Sequence, residues 1–312
     1  MRILLLCNSD LLAMPAAIAL RNRGELVAVG ITEKSSKILM PALASIGIEG
    51  DSIHVLTRKN IESDLTRIIT ENEIDVVFVM TFSWKIPASV LTLPKKGCIN
   101  FHFGLLPEYK GTDPVFWQLK NMEQKGGISI HVMTDEIDAG PVVLIDELPV
   151  IPGETYGIHC QRLGALNVNT TRKVLTLLEK DEVLPVIESD QSGTYCKAPT
   201  EQELTIHWKT QTADDIEWLI NATNPRYGGA TTNIRQMQVR ILEVSPATVN
   251  IDPNNTQEII PGTIVYADQV YGLIVACRDK QFLKVNIVSM QEGYLSGIKL
   301  FSLGFKPGEV FY

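Results

Sequence analysis

Asn100 and His102 are the residues whose types and spacing point most directly to chemistry. They stand two positions apart in CINFHFGLLPEYKG, residues 98–111. Alternate residues of a β-strand point to the same face, so the amide and the imidazole are predicted to project together from one strand end. Both groups can donate a hydrogen bond to a developing oxyanion. A structural pair is the alternative interpretation of this spacing.

An acidic loop follows about thirty residues later. SIHVMTDEIDAGPVV, residues 129–143, reads as a strand, a loop containing Asp135 and Asp138, and a second strand. A carboxylate beside an imidazole can fix its tautomer, raise its pKa, or pass a proton through water. Asn100, His102 and such a carboxylate are the groups needed for acyl transfer to an amine without an enzyme nucleophile.

The elements that must position these residues are typical of a parallel sheet. The predicted strands are residues 2–7, 25–32, 52–57, 75–82, 97–103 and 127–134, and the predicted helices are 13–24, 41–48 and 60–74. This alternation indicates βαβ units in an open, doubly wound α/β sheet with helices on both faces. The run at 75–82 is the predicted central strand. Ligands of such sheets bind at the carboxyl ends of strands, where Asn100 and His102 fall.

The rest of the chain predicts a second, smaller domain. A long helix is predicted over 154–179 and a polar linker over 186–205. One helix at 212–223 and several short strands with Gly turns then indicate a small barrel. The predicted organisation is a Rossmann-like catalytic domain at 1–185, the linker, and a barrel-like domain at 206–312.

Composition narrows the function classes. The chain has 312 residues, 45% hydrophobic and 21% charged, which is typical of a soluble globular enzyme. A net charge of −8 excludes a generally basic nucleic-acid surface. The short apolar start predicts a buried first strand and neither a signal peptide nor a membrane span. Scattered cysteines without a CxxC pair predict reduced thiols in a cytoplasmic protein. Four other histidines lack metal-ligand spacing and are interpreted as structural: His54, His131, His159 and His207.

Taken together, the two motifs resemble the signature of the formyltransferases that use 10-formyltetrahydrofolate. NFHFGLLPEYKG followed by GGISIHVMTDEIDAGPVV reproduces Asn-x-His, Leu-Leu-Pro, Gly, and a loop ending Asp-x-Gly-Pro. TYCKAPTEQELTIHW, PGTIVYA and FKPGEVF extend the resemblance to the two-domain methionyl-tRNA formyltransferases. The resemblance implies a Rossmann-like domain followed by a β-barrel of the oligonucleotide-binding type. It also implies 10-formyltetrahydrofolate as formyl donor, with no metal and no covalent enzyme intermediate.

The resemblance further implies residue roles. Asn100 and His102 would stabilise the oxyanion while Asp138 moves the proton from the amine to the folate nitrogen. The pterin would lie along residues 78–87. The implied cofactor-binding residues are Phe82, Ser83, Trp84, Ile86, Ser129, Thr134 and Asp135. The implied acceptor-binding residues are Leu106, Pro107, Gly111 and Asp113. Ordinary packing is the alternative interpretation of the two aromatic residues.

The acceptor is predicted from departures from the tRNA enzymes, which carry a basic, Gly-rich loop after the second strand and arginines after Leu-Leu-Pro. Here the segment after the second strand reads TEKSSKILMP, and Glu108 and Lys110 stand where those enzymes carry the arginines. A carboxylate there would repel phosphate. Residues 206–312 hold nine Lys or Arg against ten Asp or Glu. We therefore predict a small or carrier-bound amine (an amino sugar nucleotide, an amino acid or a siderophore precursor), attracted by Asp113.

Three alternatives stay open. The first is a methionyl-tRNA formyltransferase, with tRNA as partner. The second is a 10-formyltetrahydrofolate hydrolase using the same three residues, although the large second domain favours a bulky acceptor. The third, a non-catalytic dinucleotide binder, lacks its fingerprint, because NSDLLAMP and no GxGxxG follows the first strand.

Overall fold

The computed structural model describes residues 1–180, 183–188, 192–250 and 259–312 of the chain. It forms two compact units. Unit 1 comprises Met1–Pro114, Lys125–Pro149 and His159–Lys197, and unit 2 comprises Val115–Gln124, Val150–Ile158 and Ala198–Tyr312. Residues 181–182, 189–191 and 251–258, which fall within the predicted domains and linker, lie outside the described residues. The predicted division into a catalytic domain at 1–185, a linker and a barrel-like domain at 206–312 remains a proposal.

Unit 1 is built on a seven-stranded sheet. Its strands are β1 (Ile3–Cys7), β2 (Leu26–Thr32), β3 (Ile53–Leu56), β4 (Val76–Met80), β5 (Cys98–His102), β7 (Lys125–Val132) and β8 (Val142–Pro149), in the order β3-β2-β1-β4-β5-β7-β8. A separate pair is formed by β6 (Lys110–Gly111) and β9 (Tyr195–Cys196). Strands β1 to β5 are parallel, whereas β7 is antiparallel to β5 and β8. The largely parallel sheet confirms the predicted fold class, and β4 is its central strand.

Helices follow the strands along the chain. They are α1 (Asp10–Asn22), α2 (Glu33–Ser45), α3 (Ile61–Glu71), α4 (Ala88–Leu91), α5 (Pro114–Lys120) and α6 (Tyr156–Glu179). Apart from Pro114, α5 belongs to unit 2, and α6 belongs to unit 1 from His159 onward. Apolar residues at helical spacing explain α3, which buries Ile61, Leu65, Ile68 and Ile69. The prediction of a helix at 41–48 was wrong in extent. Residues 33–40 contain no Gly or Pro that would break a helix, so α2 begins directly after β2.

Unit 2 contains an antiparallel sheet where the sequence predicted a barrel. Its elements are α7 (Ala213–Thr223), β10 (Ala230–Ile234), β11 (Met237–Ala247), β12 (Ile264–Asp268), β13 (Gly272–Ala276), β14 (Phe282–Met290), β15 (Gly293–Ser296) and α8 (Gly297–Ser302). The strand order is β10-β11-β14-β13-β12, with β15 paired to β14. A capping box between Thr212 and Asp215 begins α7. Of the helices in the described ranges, none is long and apolar enough to cross a membrane.

The pairing of β5 with β7 shapes the chain beyond β5. It sets Asn100 opposite His131 and His102 opposite Ser129. The fully buried Ser129 hydroxyl donates to the Gly104 carbonyl at 2.7 Å and accepts from the Leu106 amide at 2.9 Å. Ser129 therefore holds the turn that leaves the sheet after β5.

Replacing Ser129 with alanine removes both hydrogen bonds from this buried turn. We expect the free energy of unfolding to fall by about 1 to 3 kcal/mol, because buried polar groups lose their partner. Chemical denaturation measures the change. Ser45→Ala is the matched control, since Ser45 is exposed at the end of α2 and surface exchanges cost less than about 0.5 kcal/mol. Equal stability of the two variants would contradict this role of Ser129.

Candidate active site

Asn100 and His102 lie at the end of β5, and the structure brings both to Asp138. The His102 ring is buried; its Nε2 donates to the backbone carbonyl of Tyr109 at 2.8 Å, and its Nδ1 lies 3.5 Å from Oδ2 of Asp138. The half-buried Asn100 donates from Nδ2 to Oδ1 of Asp138 at 3.2 Å. The three residues predicted to be catalytic thus form one cluster within unit 1.

Asp138 is held by the geometry of the loop between β7 and β8. Its Oδ2 accepts from the Gly111 amide at 2.8 Å, and its backbone adopts a φ of 50°, which Asp tolerates better than most residues. Two residues later the backbone passes very close to β7. A Cβ added at Gly140 would lie 1.7 Å from the carbonyl oxygen of Val132. The close approach explains the glycine of Asp-x-Gly-Pro, because a residue with a Cβ does not fit.

His131 is a member of this cluster that the sequence analysis missed. Its interpretation as isolated was wrong, because its Nε2 lies 2.9 Å from Nδ2 of Asn100 and 3.3 Å from Oδ1 of Asp138. Its Nδ1 lies 3.2 Å from the carbonyl oxygen of Val132, and donation there leaves Nε2 to accept from Asn100. The antiparallel pairing of β5 with β7 sets His131 beside Asn100. The sequence analysis predicted parallel strands, and parallel strands do not imply this contact.

Burial and charge set the protonation states. Burial lowers the pKa of His102 below its usual range, and this effect exceeds the raising effect of the Asp138 carboxylate. The Asp138 carboxylate does raise the imidazole pKa, as the sequence indicated it could, but burial outweighs this effect. Burial also raises the pKa of Asp138, but the neighbouring His131 and His102 rings and the donating Gly111 amide together lower it to about 2. Asp138 is accordingly ionised at neutral pH.

Aromatic residues assigned to the cofactor follow β4. The rings of Phe82 and Trp84 meet edge to face with centroids 5.6 Å apart, and both are partly exposed. They pack, with Met133, against a buried apolar cluster that contains Ile86. The packing interpretation therefore holds for the ring faces that contact this cluster. Ile86 is a buried member of the cluster.

The other assigned residues lie on the same segment and on the facing loop. Ser83 is exposed and accepts from the Asn8 side-chain amide at 2.9 Å. Thr134 is exposed, and Asp135 forms an ion pair with Lys85 at 2.6 Å. The segment after β4 and the loop after β7 are thus neighbours in unit 1. Ser129 differs from these residues, since its hydroxyl is buried beneath the turn.

The residues assigned to the acceptor lie on the turn after β5. Leu106 is buried and Pro107 is half-buried. The Gly111 amide is engaged by Asp138. Asp113 is half-buried and has a φ of 55°. In the part of the chain that the structure describes, no three His, Cys, Asp or Glu side chains are grouped to hold a metal ion.

Asp138→Asn is expected to change how stability depends on pH. The unfolded carboxyl has a pKa of about 3.9. Because the folded pKa is lower, the stabilisation is present above about pH 5 and is lost as pH falls towards 2. Wild type should lose about 2 kcal/mol more than Asp138→Asn over this interval. Denaturant unfolding between pH 6 and pH 2 measures it, with Asp135→Asn as the exposed control in the same loop. Parallel curves for wild type and Asp138→Asn would contradict the assignment.

Comparisons with known proteins cover both units. A family model described as formyl transferase matches residues 27–175, and a model described as formyl transferase, C-terminal domain, matches residues 199–305. The methionyl-tRNA formyltransferase of Nitrosospira multiformis is 30% identical over 219 residues, which are 70% of this chain and 67% of the relative.

Solved structures share the fold at low identity. HypX from Aquifex aeolicus, solved in complex with tetrahydrofolic acid, has a TM-score of 0.68 and 15% identity, covering 96% of this chain and 47% of that chain. WlaRD, a sugar 3N-formyl transferase solved with dTDP and 5-N-formyl-THF, has a TM-score of 0.60 and 16% identity, covering 91% and 96%. At these identities the likeness supports the fold alone. The sequence relationship across the length of the chain makes it a member of the formyl transferase family, and therefore a formyltransferase.

Proposed function

We propose that this formyltransferase moves the formyl group of 10-formyltetrahydrofolate to a small or carrier-bound primary amine. The observation that carries the choice of acceptor is the direct junction of β2 and α2. β2 ends at Thr32 and α2 begins at Glu33, so this chain has no loop where the tRNA enzymes of the family carry a basic one.

The junction is also fixed by hydrogen bonds. Oδ1 of Asn8 accepts from the Thr32 amide at 3.2 Å, from the Thr32 hydroxyl at 2.8 Å and from the Ser35 hydroxyl at 2.8 Å. Lys34 and Lys37 are consequently exposed on the first turns of a helix. Two lysines give little of the phosphate neutralisation that an acceptor stem needs.

Glu108 supports this choice less than the sequence indicated. Its carboxylate accepts from the Thr194 hydroxyl at 2.8 Å and from the Thr194 amide at 3.1 Å. The expected role of Glu108 in repelling phosphate is therefore not part of the proposal, because its charge is engaged within the chain.

The residues after β4 fit the donor. A pterin is flat and aromatic, and the partly exposed faces of Phe82 and Trp84 offer it stacking surfaces. The loop that carries Thr134 and Asp135 borders the same segment through the Lys85 ion pair. The segment after β4 starts beside the end of β5 that carries Asn100 and His102, because Met80 pairs with Phe101, and a donor held there would bring its formyl group within their reach.

Asn100 would supply hydrogen bonds to the reacting centre. The acceptor nitrogen attacks the formyl carbon, a new C–N bond forms, and the bond from that carbon to the folate nitrogen breaks. Negative charge develops on the formyl oxygen meanwhile. Asn100 donates to His131 at 2.9 Å and to Asp138 at 3.2 Å, and the oxyanion would replace the longer bond.

His102 and Asp138 would handle the proton. The neutral imidazole donates from Nε2 to the Tyr109 carbonyl, which leaves the Nδ1 lone pair facing Asp138. The attacking amine loses one proton, and the folate nitrogen gains one. Asp138 accepts this proton in transit, and His102 shares it through Nδ1, so positive charge forms beside the oxyanion.

Methionyl-tRNA is the second candidate acceptor, because relatives that bear this name align with more than two thirds of the chain. A hydrolase that releases formate is the third reading. All three predict the same cluster and differ only in what receives the formyl group.

A donor-turnover assay separates these readings. Absorbance is followed as the folate product forms, with amino sugar nucleotides and amino acids, with methionyl-tRNA, or with no acceptor. We expect stimulation by a small amine, because nothing at the β2–α2 junction is built to contact an acceptor stem. Stimulation by methionyl-tRNA alone would overturn the proposed acceptor. Formate release without any amine would support the hydrolase.

Asp113→Asn tests the predicted attraction of a cationic amine. We expect the acceptor KM to rise about tenfold, equivalent to about 1.4 kcal/mol, with kcat and the donor KM little changed. Asp10→Asn is the control, an acidic residue in the first turn of α1. An unchanged acceptor KM in Asp113→Asn would remove Asp113 from the acceptor site.

A further inference from the structure

Residues 192–197, here called the strap, run beside the turn that follows β5. They fall in the predicted linker, yet they belong to unit 1. β9 of the strap pairs in parallel with β6 of the turn. The Lys110 amide donates to the Thr194 carbonyl at 2.9 Å, and the Thr112 amide donates to the Cys196 carbonyl at 2.8 Å. Backbone hydrogen bonds thus fix the turn along its second half.

Thr194 fixes the first half of the turn with its side chain. Its hydroxyl and amide both donate to the Glu108 carboxylate, and its Oγ1 accepts from the Tyr109 amide at 3.3 Å. The hydrogen bond from the Thr194 hydroxyl lowers the pKa of Glu108, so the Glu108 carboxylate stays charged. One exposed threonine therefore contacts two consecutive residues of the turn.

Glycines let the two segments approach closely. A Cβ added at Gly193 would lie 1.6 Å from the Pro107 carbonyl oxygen, and one at Gly111 would lie 2.4 Å from the Cys196 carbonyl oxygen. Both distances are far below van der Waals contact. At both points, therefore, a residue with a Cβ does not fit between the strap and the turn.

The two backbone groups that hold the catalytic pair lie between these anchors. The Tyr109 carbonyl accepts from Nε2 of His102 at 2.8 Å, and the Gly111 amide donates to Oδ2 of Asp138 at 2.8 Å. We propose that the strap is a positioning element for catalysis, which sets the orientations of His102 and Asp138 through Tyr109 and Gly111. The inference rests on the proposed function, in which these two side chains handle the proton.

Thr194→Val is the first test, because valine keeps the β-branched shape and removes only the hydroxyl. We expect kcat for formyl transfer to fall about fivefold while the donor KM stays within about twofold of wild type. Thr194→Ser restores the hydroxyl and is expected to restore kcat. Thr176→Val is the matched control, because Thr176 is exposed on α6 in the same unit.

Gly193→Ala is the stronger perturbation, since its Cβ meets backbone rather than a flexible side chain. We expect kcat to fall by about 10- to 100-fold, the scale of a misplacement near 1 Å. The His102 ring signals, assigned with His102→Gln in ¹⁵N-labelled protein, are expected to shift in Gly193→Ala and in Thr194→Val. Unfolding curves identify a variant that fails to fold, in which case Thr194→Val alone decides.

Wild-type kcat and unshifted His102 signals in Thr194→Val would overturn the proposal. A loss of kcat that Thr194→Ser does not restore would also overturn it, since the hydroxyl would not be the cause. If wild type transfers formyl to no amine, the proposed function fails. The His102 signals then still decide whether the strap orients the imidazole.

Discussion

The ionised carboxylate of Asp138 is the group on which the site depends. A charge withdrawn from water costs several kcal/mol unless hydrogen bonds compensate it. Here the Gly111 amide and the Asn100 side-chain amide donate to the carboxylate, and the imidazoles of His102 and His131 lie beside it. These groups come from β5, from the turn after it and from β7. The carboxylate thus requires three separate pieces of backbone to be in place before it is stable.

The topology of the sheet supplies those pieces. The strands from β3 to β5 are parallel, and the direction reverses at β7. The reversal sets His131 directly beside Asn100, although 31 positions separate them. The loop after β7 can then return Asp138 to the end of β5, because Gly140 lets the backbone pass close to Val132. A continued parallel arrangement would require a long crossover and would leave no such hairpin.

The surroundings of the site show how a local charge depends on its partners. Glu108 occupies a place where a carboxylate could repel phosphate, but Thr194 engages it. Lys34 and Lys37 occupy a place where the tRNA enzymes carry a basic loop, but here the backbone is already helical. The engagement of Glu108 weakens the charge argument for a small amine, and the helical start of α2 strengthens it. The net charge of the chain reveals neither feature, because it counts charges without their contacts.

The sequence by itself determined most elements of the parallel sheet, the central strand, the motif residues and the family, because these follow from short-range patterns. Asn100 and His102 share a face through strand periodicity, and Asp138 follows from a motif with its own backbone requirement at Gly140. The start of α2 was misread because Ser and Lys fit loops and helices equally well. The contacts of His131, the engagement of Glu108 and the pairing of the strap with the turn were decided only by the tertiary structure. Each depends on a pairing between residues far apart in the chain, and such a pairing is set by strand direction and by backbone clearance, which no local pattern encodes.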